Sequence, residues 1–209
     1  MIEFLKQLTD PESIIHYGGL TLLLFVVFAE TGLLVGFFLP GDSLIFIAGM
    51  ICVSHNDLLG VNIFVLVILL SIAAILGNIT GYWFGKKVGT SLFNRKDSIL
   101  FKKKYLEITR DFYEKNGGKT LILGRFLPII RTFAPILAGV ISVDLKKFMI
   151  YNILGAFSWI TLLAGGGYYL GTNRWVQNNL GSIVIGFIII TLIPLMMTYL
   201  KKNKSSYKQ

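Results

Sequence analysis

The sequence predicts an all-α polytopic integral membrane protein made of two inverted repeats. Each repeat is a re-entrant helical hairpin packed on a transmembrane helix, and a C-terminal transmembrane helix follows them. Three observations carry this expectation. Of the 209 residues, 54% are hydrophobic and only 15% charged, outside the range of ordinary soluble domains. Several apolar runs reach the ~20 residues that cross a bilayer. Two of these runs are broken by prolines and charges, and short motifs recur in the same order in both halves.

The apolar runs are Gly18 to Leu39, Leu44 to Val53, Val61 to Phe84, Leu121 to Val143, Phe148 to Leu170 and Ser182 to Leu200. The second is too short to cross. One membrane domain is expected over 1–209. Residues 1–17 form an N-terminal segment with an acidic excess and no basic n-region, so it is read as mature sequence rather than a cleaved signal. Residues 18–89 form the first repeat, with a re-entrant hairpin near 30–53. A basic cytoplasmic segment occupies 90–119. The second repeat, 120–175, has its hairpin near 121–143. A transmembrane helix at 176–200 and a basic tail at 201–209 complete the chain.

Charge orients these pieces. Between Lys86 and Lys119, ten basic residues stand against four acidic ones, and the tail adds Lys201, Lys202, Lys204 and Lys208. The connection "TNRWVQNNLG" holds only Arg174. The positive-inside rule therefore puts the basic segment and the tail in the cytoplasm and that connection outside. Phe148 to Leu170 and Ser182 to Leu200 already give an even number of crossings between the two cytoplasmic segments. A crossing by "LILGRFLPIIRTFAPILAGVI" would put Lys146, Lys147 and the tail outside. That stretch is therefore expected to enter and leave from the cytoplasm, with its bend near Arg131 to Pro135. Pro40, Gly41, Pro128 and Pro135 are the expected hairpin breaks, because a proline removes a backbone donor and a glycine tolerates a turn.

Within the basic segment, Phe101, Tyr105, Ile108 and Phe112 recur at helical spacing among lysines. Asp97 or Ser98 can cap this helix, and Gly117-Gly118 can end it. An amphipathic helix on anionic membrane lipids and a solvated linker helix both fit.

"IFIAGMI" (Ile45 to Ile51) matches "PILAGVI" (Pro135 to Ile141), and "GYWFG" (Gly81 to Gly85) matches "GYYLG" (Gly167 to Gly171) at similar separation. The first GYxxG leads into Lys86 and Lys87 inside, the second into the outer connection, so the repeats run in opposite directions. The first hairpin, around "FFLPGDSL", is then expected to dip in from outside. Whether Gly18 to Ala29 belongs wholly to it, and the side of the N-terminus, stay open. Gly77, Gly81, Gly85 and Gly89 form a small-residue ridge, read as a packing surface.

Four ionisable residues remain away from the membrane edges: Glu30 and Asp42 in the first half, Arg125 and Arg131 in the second. Each costs roughly 2.5–3.5 kcal/mol at the centre of a membrane helix, so pairing across the repeat interface is expected. With the AG pairs superposed, Asp42 falls within about a residue of Arg131. Two readings follow. The charges form ion pairs that fix one hairpin against the other, or they line a midplane cavity where guanidinium forks take a phosphate and a carboxyl carries a proton. Burial favours the protonated carboxyl and the arginines favour the ionised one.

Other chemistries find little support. Cys52 is the single cysteine, which excludes an intramolecular disulfide and a cysteine metal site. His16 and His55 have no partner at metal-ligand spacing, and no acidic metal cluster is visible, so no metal, no cofactor and no enzyme activity are expected. "GGGYYLG" follows no strand and is rejected as a dinucleotide loop. The net charge of +9 sits in clusters beside apolar runs, so no nucleic-acid partner is expected. The alternatives kept are a small-ion or proton transporter with indirect effects on lipids and, less favoured, an intramembrane lipid phosphatase or transferase. A homo-oligomer is compatible with the sequence.

"FAETGLLVGFFLPGDSLIFIAG" and "GRFLPIIRTFAPILAG" resemble the two signature regions of the DedA family of bacterial membrane proteins, which share a domain with eukaryotic lipid scramblases. The resemblance covers about Gly18 to Gly171. It implies two facing re-entrant hairpins in a multi-pass protein of the bacterial cytoplasmic membrane. The implied function is a flippase for a phosphorylated polyprenyl carrier lipid, undecaprenyl phosphate. It further implies proton coupling at Glu30 and Asp42 and recognition of the phosphate head group by Arg125 and Arg131.

Overall fold

The computed structural model describes residues 11–33, 39, 41–54, 59–93, 118–126, 128–173 and 175–176. The regular elements among them are all helices: α1 (Pro11–Gly32), α2 (Gly41–Ser54), α3 (Ile63–Phe93), α4 (Lys119–Gly124), α5 (Pro128–Val140) and α6 (Leu145–Leu170). The expected amphipathic helix, the C-terminal span, the tail and Pro40 lie outside the described residues.

Length separates the helices into two kinds. Ile63–Val88 of α3 and Leu145–Leu170 of α6 are 26 residues each. At about 1.5 Å per residue each reaches ~39 Å, more than the ~30 Å hydrocarbon core of a bilayer. The apolar stretches Gly18–Gly32, Gly41–Val53 and Ile130–Val140 are too short to cross it. α1 kinks at Gly19, whose φ of 54° and ψ of −152° suit glycine. Asp144 starts α6 by accepting a hydrogen bond from Lys147 N at 3.0 Å on its Oδ1.

The chain breaks before Pro128, one of the expected positions, and not near Arg131 to Pro135, where the bend was expected. α4 ends at Gly124, the chain turns at Arg125 and Phe126, and Pro128 opens α5. A proline suits that first helical position, where its missing N–H has no partner to lose. Pro135, expected as a break, lies inside α5, which runs through it. The missing N–H costs one rung of the helix ladder. Burial against α3 offsets that loss, since a Cβ on Gly81 would stand 3.6 Å from Pro135 Cβ.

Packing is reciprocal. α1 lies on α3 and α4 on α6, whereas α2 lies mainly on α6 and α5 mainly on α3. The recurring motifs sit at these crossings. A side chain on Gly49 would overlap the Ala164 carbonyl of α6, and one on Gly139 would overlap the Tyr82 carbonyl of α3. Gly85 stands against Ile136 in the same way, and Gly167 against Phe46. Gly49, Gly139, Gly85, Gly167 and Gly171 are therefore places where helix backbones touch; of the ridge read on α3, Gly77 and Gly85 make such contacts and Gly81 packs at ordinary distance. Substituting leucine for Gly139 forces backbone apart from backbone. The expected loss is about 1–3 kcal/mol or more, read as a lower melting temperature of the detergent-purified protein.

The two long helices run antiparallel. Tyr82 Oη donates to Val143 O at 2.6 Å, and its ring lies 4.7 Å from that of Phe148, centroid to centroid. Lys86 and Lys87 at the end of α3 thus share one end of the molecule with Lys146 and Lys147 at the start of α6. The main core lies between α1, α2, α3 and α6, where Leu23, Val27, Leu44, Ile45, Leu66, Leu70 and Ile160 are buried. Outward, α3 presents Phe64, Ile68, Ile72 and Leu76, and α6 presents Ile153, Leu154, Phe157 and Leu162. Such continuous apolar stripes on long helices suit contact with lipid.

Candidate functional site: a buried charge cluster at the helix breaks

Four helix ends converge at the middle of the two long helices. α1 and α4 end there, and α2 and α5 begin there. Gly32, at the end of α1, packs so closely on Gly77 of α3 that a Cβ would lie 2.8 Å from its Cα. Gly77 is about 16–21 Å along the axis from either end of its apolar span. On α6, Trp159 meets Asp42 at the same depth.

Arg131, in the first turn of α5, joins α5 to the end of α1 and the start of α2. Its Nη1 donates to Asp42 Oδ1 at 2.5 Å, and its Nη2 donates to Glu30 Oε1. The guanidinium carbon lies 4.5 Å above the Trp159 ring. Trp159 Nε1 also donates to Asp42 Oδ1, at 3.1 Å. Thr132 Oγ1 donates to Glu30 O at 3.2 Å. Arg131 and Glu30 are buried, and the Asp42 side chain is 22% exposed. The expected pairing between Asp42 and Arg131 is present, and Glu30 completes a triad.

Gly41 leaves room for the Glu30 carboxylate in this triad. A Cβ there would overlap Glu30 Oε2. Substituting alanine for Gly41 is therefore expected to expel the Glu30 carboxylate from Arg131. In detergent the variant unfolds at a lower temperature, and the additional Glu30→Ala change costs it less than it costs wild type.

Arg125 occupies the turn after α4 and is 2% exposed. Its stem crosses Gly155 of α6, where a Cβ would stand 3.0 Å from Arg125 Cδ and Nε. Its Nη2 donates to Asn152 Oδ1, and to Asn152 O at 3.2 Å. The Asn78 amide completes the seat. Turned so that its oxygen faces the guanidinium, it accepts from Arg125 Nη2 at 2.6 Å while its nitrogen donates to Thr31 O at 3.1 Å. The opposite orientation lets Asn78 Nδ2 donate to Asn152 Oδ1 at 2.9 Å, but sets that nitrogen against Arg125 Nη2 and the amide oxygen against Thr31 O. Asn152 Nδ2 donates to Ile75 O at 3.2 Å.

The two arginines are used differently. Arg131 has both terminal nitrogens on carboxylates. Arg125 forms no ion pair among the described residues, and its Nε and Nη1 find no acceptor there. Glu30 Oε2 and Arg131 Nε are also buried without a partner among those residues. Buried polar atoms are nearly always satisfied, so this concentration at one place sets the site apart.

Sequence reasoning singled out the four charges and missed Asn78, Asn152 and Trp159. A signal for the first two existed. An asparagine inside a membrane span is costly without a partner, yet only ionisable residues had been counted.

Two helices of spanning length with apolar outer faces, and shorter helices converging on buried ions, define a helical membrane protein with a polar centre. The VTT domain family model matches residues 39–169. The chain is 40% identical over 198 residues to Protein DedA of Escherichia coli K12, covering 93% of this chain and 89% of that protein. It is 38% identical to an uncharacterized membrane protein of Mycobacterium tuberculosis, with 84% and 76% covered. To the inner membrane protein YqjA of Escherichia coli K12 it is 30% identical, with 79% and 73% covered. The chain therefore belongs to the VTT-domain, or DedA, family of membrane proteins. No solved structure matches it.

Proposed function

We propose that this protein is a flippase that carries a phosphorylated polyprenyl lipid, undecaprenyl phosphate or a close relative, across the bacterial cytoplasmic membrane, coupled to protons. One observation carries the reading: a buried guanidinium, Arg125, without an acid partner among the described residues, beside a carboxylate–arginine triad where two pairs of helices break. A phosphate supplies the missing acceptors, and the isoprenoid tail stays in the bilayer beside the site. The opening turns of α2 and α5 add the positive ends of two helices.

The fold reading belongs to the same proposal. α1 with α2 forms one re-entrant hairpin, and α4 with α5 forms the other. They enter from opposite sides, as inverted repeats whose second arms exchange partners across α3 and α6. Support comes from the reciprocal packing, from the half-span lengths and from the shared end of Lys86, Lys87, Lys146 and Lys147, read as cytoplasmic.

Charge counting links the cargo to protons. Glu30, Asp42, Arg125 and Arg131 sum to zero in their ionised forms. A bound phosphate adds negative charge to a site shielded from water, and protonation of a carboxyl restores neutrality. Binding therefore strengthens as pH falls, because the bound state holds more protons. In proteoliposomes loaded with a short-chain polyprenyl phosphate, an imposed pH gradient is expected to accelerate head-group translocation. Glu30→Gln, a permanent mimic of the neutral acid, is expected to flatten that response. An unaltered pH response in this variant would remove Glu30 from proton coupling.

The competing reading is a proton or small-ion transporter, favoured by the unpartnered Glu30 Oε2. Ion flux in liposomes free of phosphorylated polyprenyl lipid would support it over the flippase.

A further inference from the structure

We infer that Asn78 and Asn152 are positioning residues that aim Arg125 at the anionic head group without quenching its charge, and so set the preference for phosphorylated over neutral lipid. This rests on the reading that the cargo is a phosphorylated lipid. The Arg125 guanidinium is buried and is held through a single nitrogen, Nη2, by amide and carbonyl oxygens of α6 and α3. Three of its five N–H groups, one on Nε and two on Nη1, remain without an acceptor among the described residues.

The choice of an amide is the informative feature. A carboxylate at 78 or 152 would bind the guanidinium more strongly and neutralise it, as Glu30 and Asp42 do for Arg131. An amide oxygen fixes direction through its dipole and leaves the full positive charge in a medium where that charge attracts an anion strongly. The two amides come from the two long helices and are linked to the α1 end through Thr31 O and to α3 through Ile75 O. Arg125 is therefore set on the rigid part of the molecule, with Gly155 leaving room for its stem. Within the cluster, Arg131 holds the hairpins together and Arg125 receives the anion.

A purely structural role for the amides, as glue between α3 and α6, makes a different prediction. Asn152→Asp keeps the shape and an acceptor for Arg125 while adding the quenching charge, at the loss of the Nδ2 donor to Ile75 O. In proteoliposomes of phosphatidylethanolamine and phosphatidylglycerol, Asn152→Asp is expected to raise the apparent KM for a short-chain polyprenyl phosphate at least tenfold while changing the maximal rate less. Asn78→Asp is expected to act likewise. Because the effect passes through Arg125, Asn152→Asp is expected to raise the KM of Arg125→Met by less than it raises that of wild type, while the buried carboxylate, then without a counter-ion, lowers the melting temperature of that double variant. Wild-type protein that moves the lipid while Asn152→Asp retains the wild-type KM, or raises the KM of Arg125→Met by as much as that of wild type, overturns the positioning role alone. Wild-type protein that does not move the lipid overturns the function proposed above, and this inference with it.

Discussion

Arg131→Met lowers the stability of the protein by about 3–5 kcal/mol, the cost of leaving buried carboxylates without their counter-ion. The cause is geometric. Glu30 of α1 and Asp42 of α2 both rest on the terminal nitrogens of Arg131, and its face is covered by Trp159. Methionine restores much of the volume and none of the charge. Arg131→Lys recovers only part of the loss, because an ammonium cannot address two carboxylates in the plane of a fork and stack on an indole at once. The further changes Glu30→Gln and Asp42→Asn in the Arg131→Met protein recover most of the stability, since buried ions are then no longer unpaired. Melting of the purified variants in detergent checks each step. A small effect of Arg131→Met with no recovery in the triple variant would mean that the triad does not hold α5 to α1 and α2.

Arg125→Met has the opposite profile: stability holds or rises while translocation of the phosphorylated lipid falls on the order of 100-fold. The stability half follows from a buried cation that has no acid partner among the described residues, whose removal relieves a desolvation cost. The activity half follows from losing charge-assisted hydrogen bonds to phosphate, about 1.5–3 kcal/mol each. Two such bonds suffice for a 100-fold loss, at about 1.4 kcal/mol per factor of ten. A residue that weakens the fold and strengthens the function is expected at a site built to bind something absent from the resting protein. The reverse outcome, a destabilised protein that still transports, would make Arg125 structural.

The split between spanning and shorter helices was legible in the sequence because prolines and charges interrupt two runs that are as long as the spanning ones. The two 26-residue stretches lie where the long runs predict them. The pairing of Asp42 with Arg131 was legible because the AG motifs gave a register between the halves and the cost of isolated charge demanded a partner. The second break was legible at Pro128 but misplaced at Pro135. Pro135 reads as a breaker in isolation, but its burial against Gly81 outweighs one lost hydrogen bond, and the turn falls instead at Arg125. The division of labour between the arginines was also hidden. It depends on Asn78 and Asn152, which come together only when α3 and α6 pack antiparallel. Trp159 was invisible for a related reason: in an apolar span a tryptophan reads as core or lipid contact until its neighbours are known.

The most direct test of the central claim is binding of a short-chain polyprenyl phosphate to the purified protein, measured against the matching unphosphorylated polyprenol, for wild type and Arg125→Met. Wild type is expected to prefer the phosphorylated lipid by at least tenfold, and Arg125→Met to bind the two alike. Equal binding of the two lipids by wild type, or a preference that survives the loss of Arg125, would contradict it.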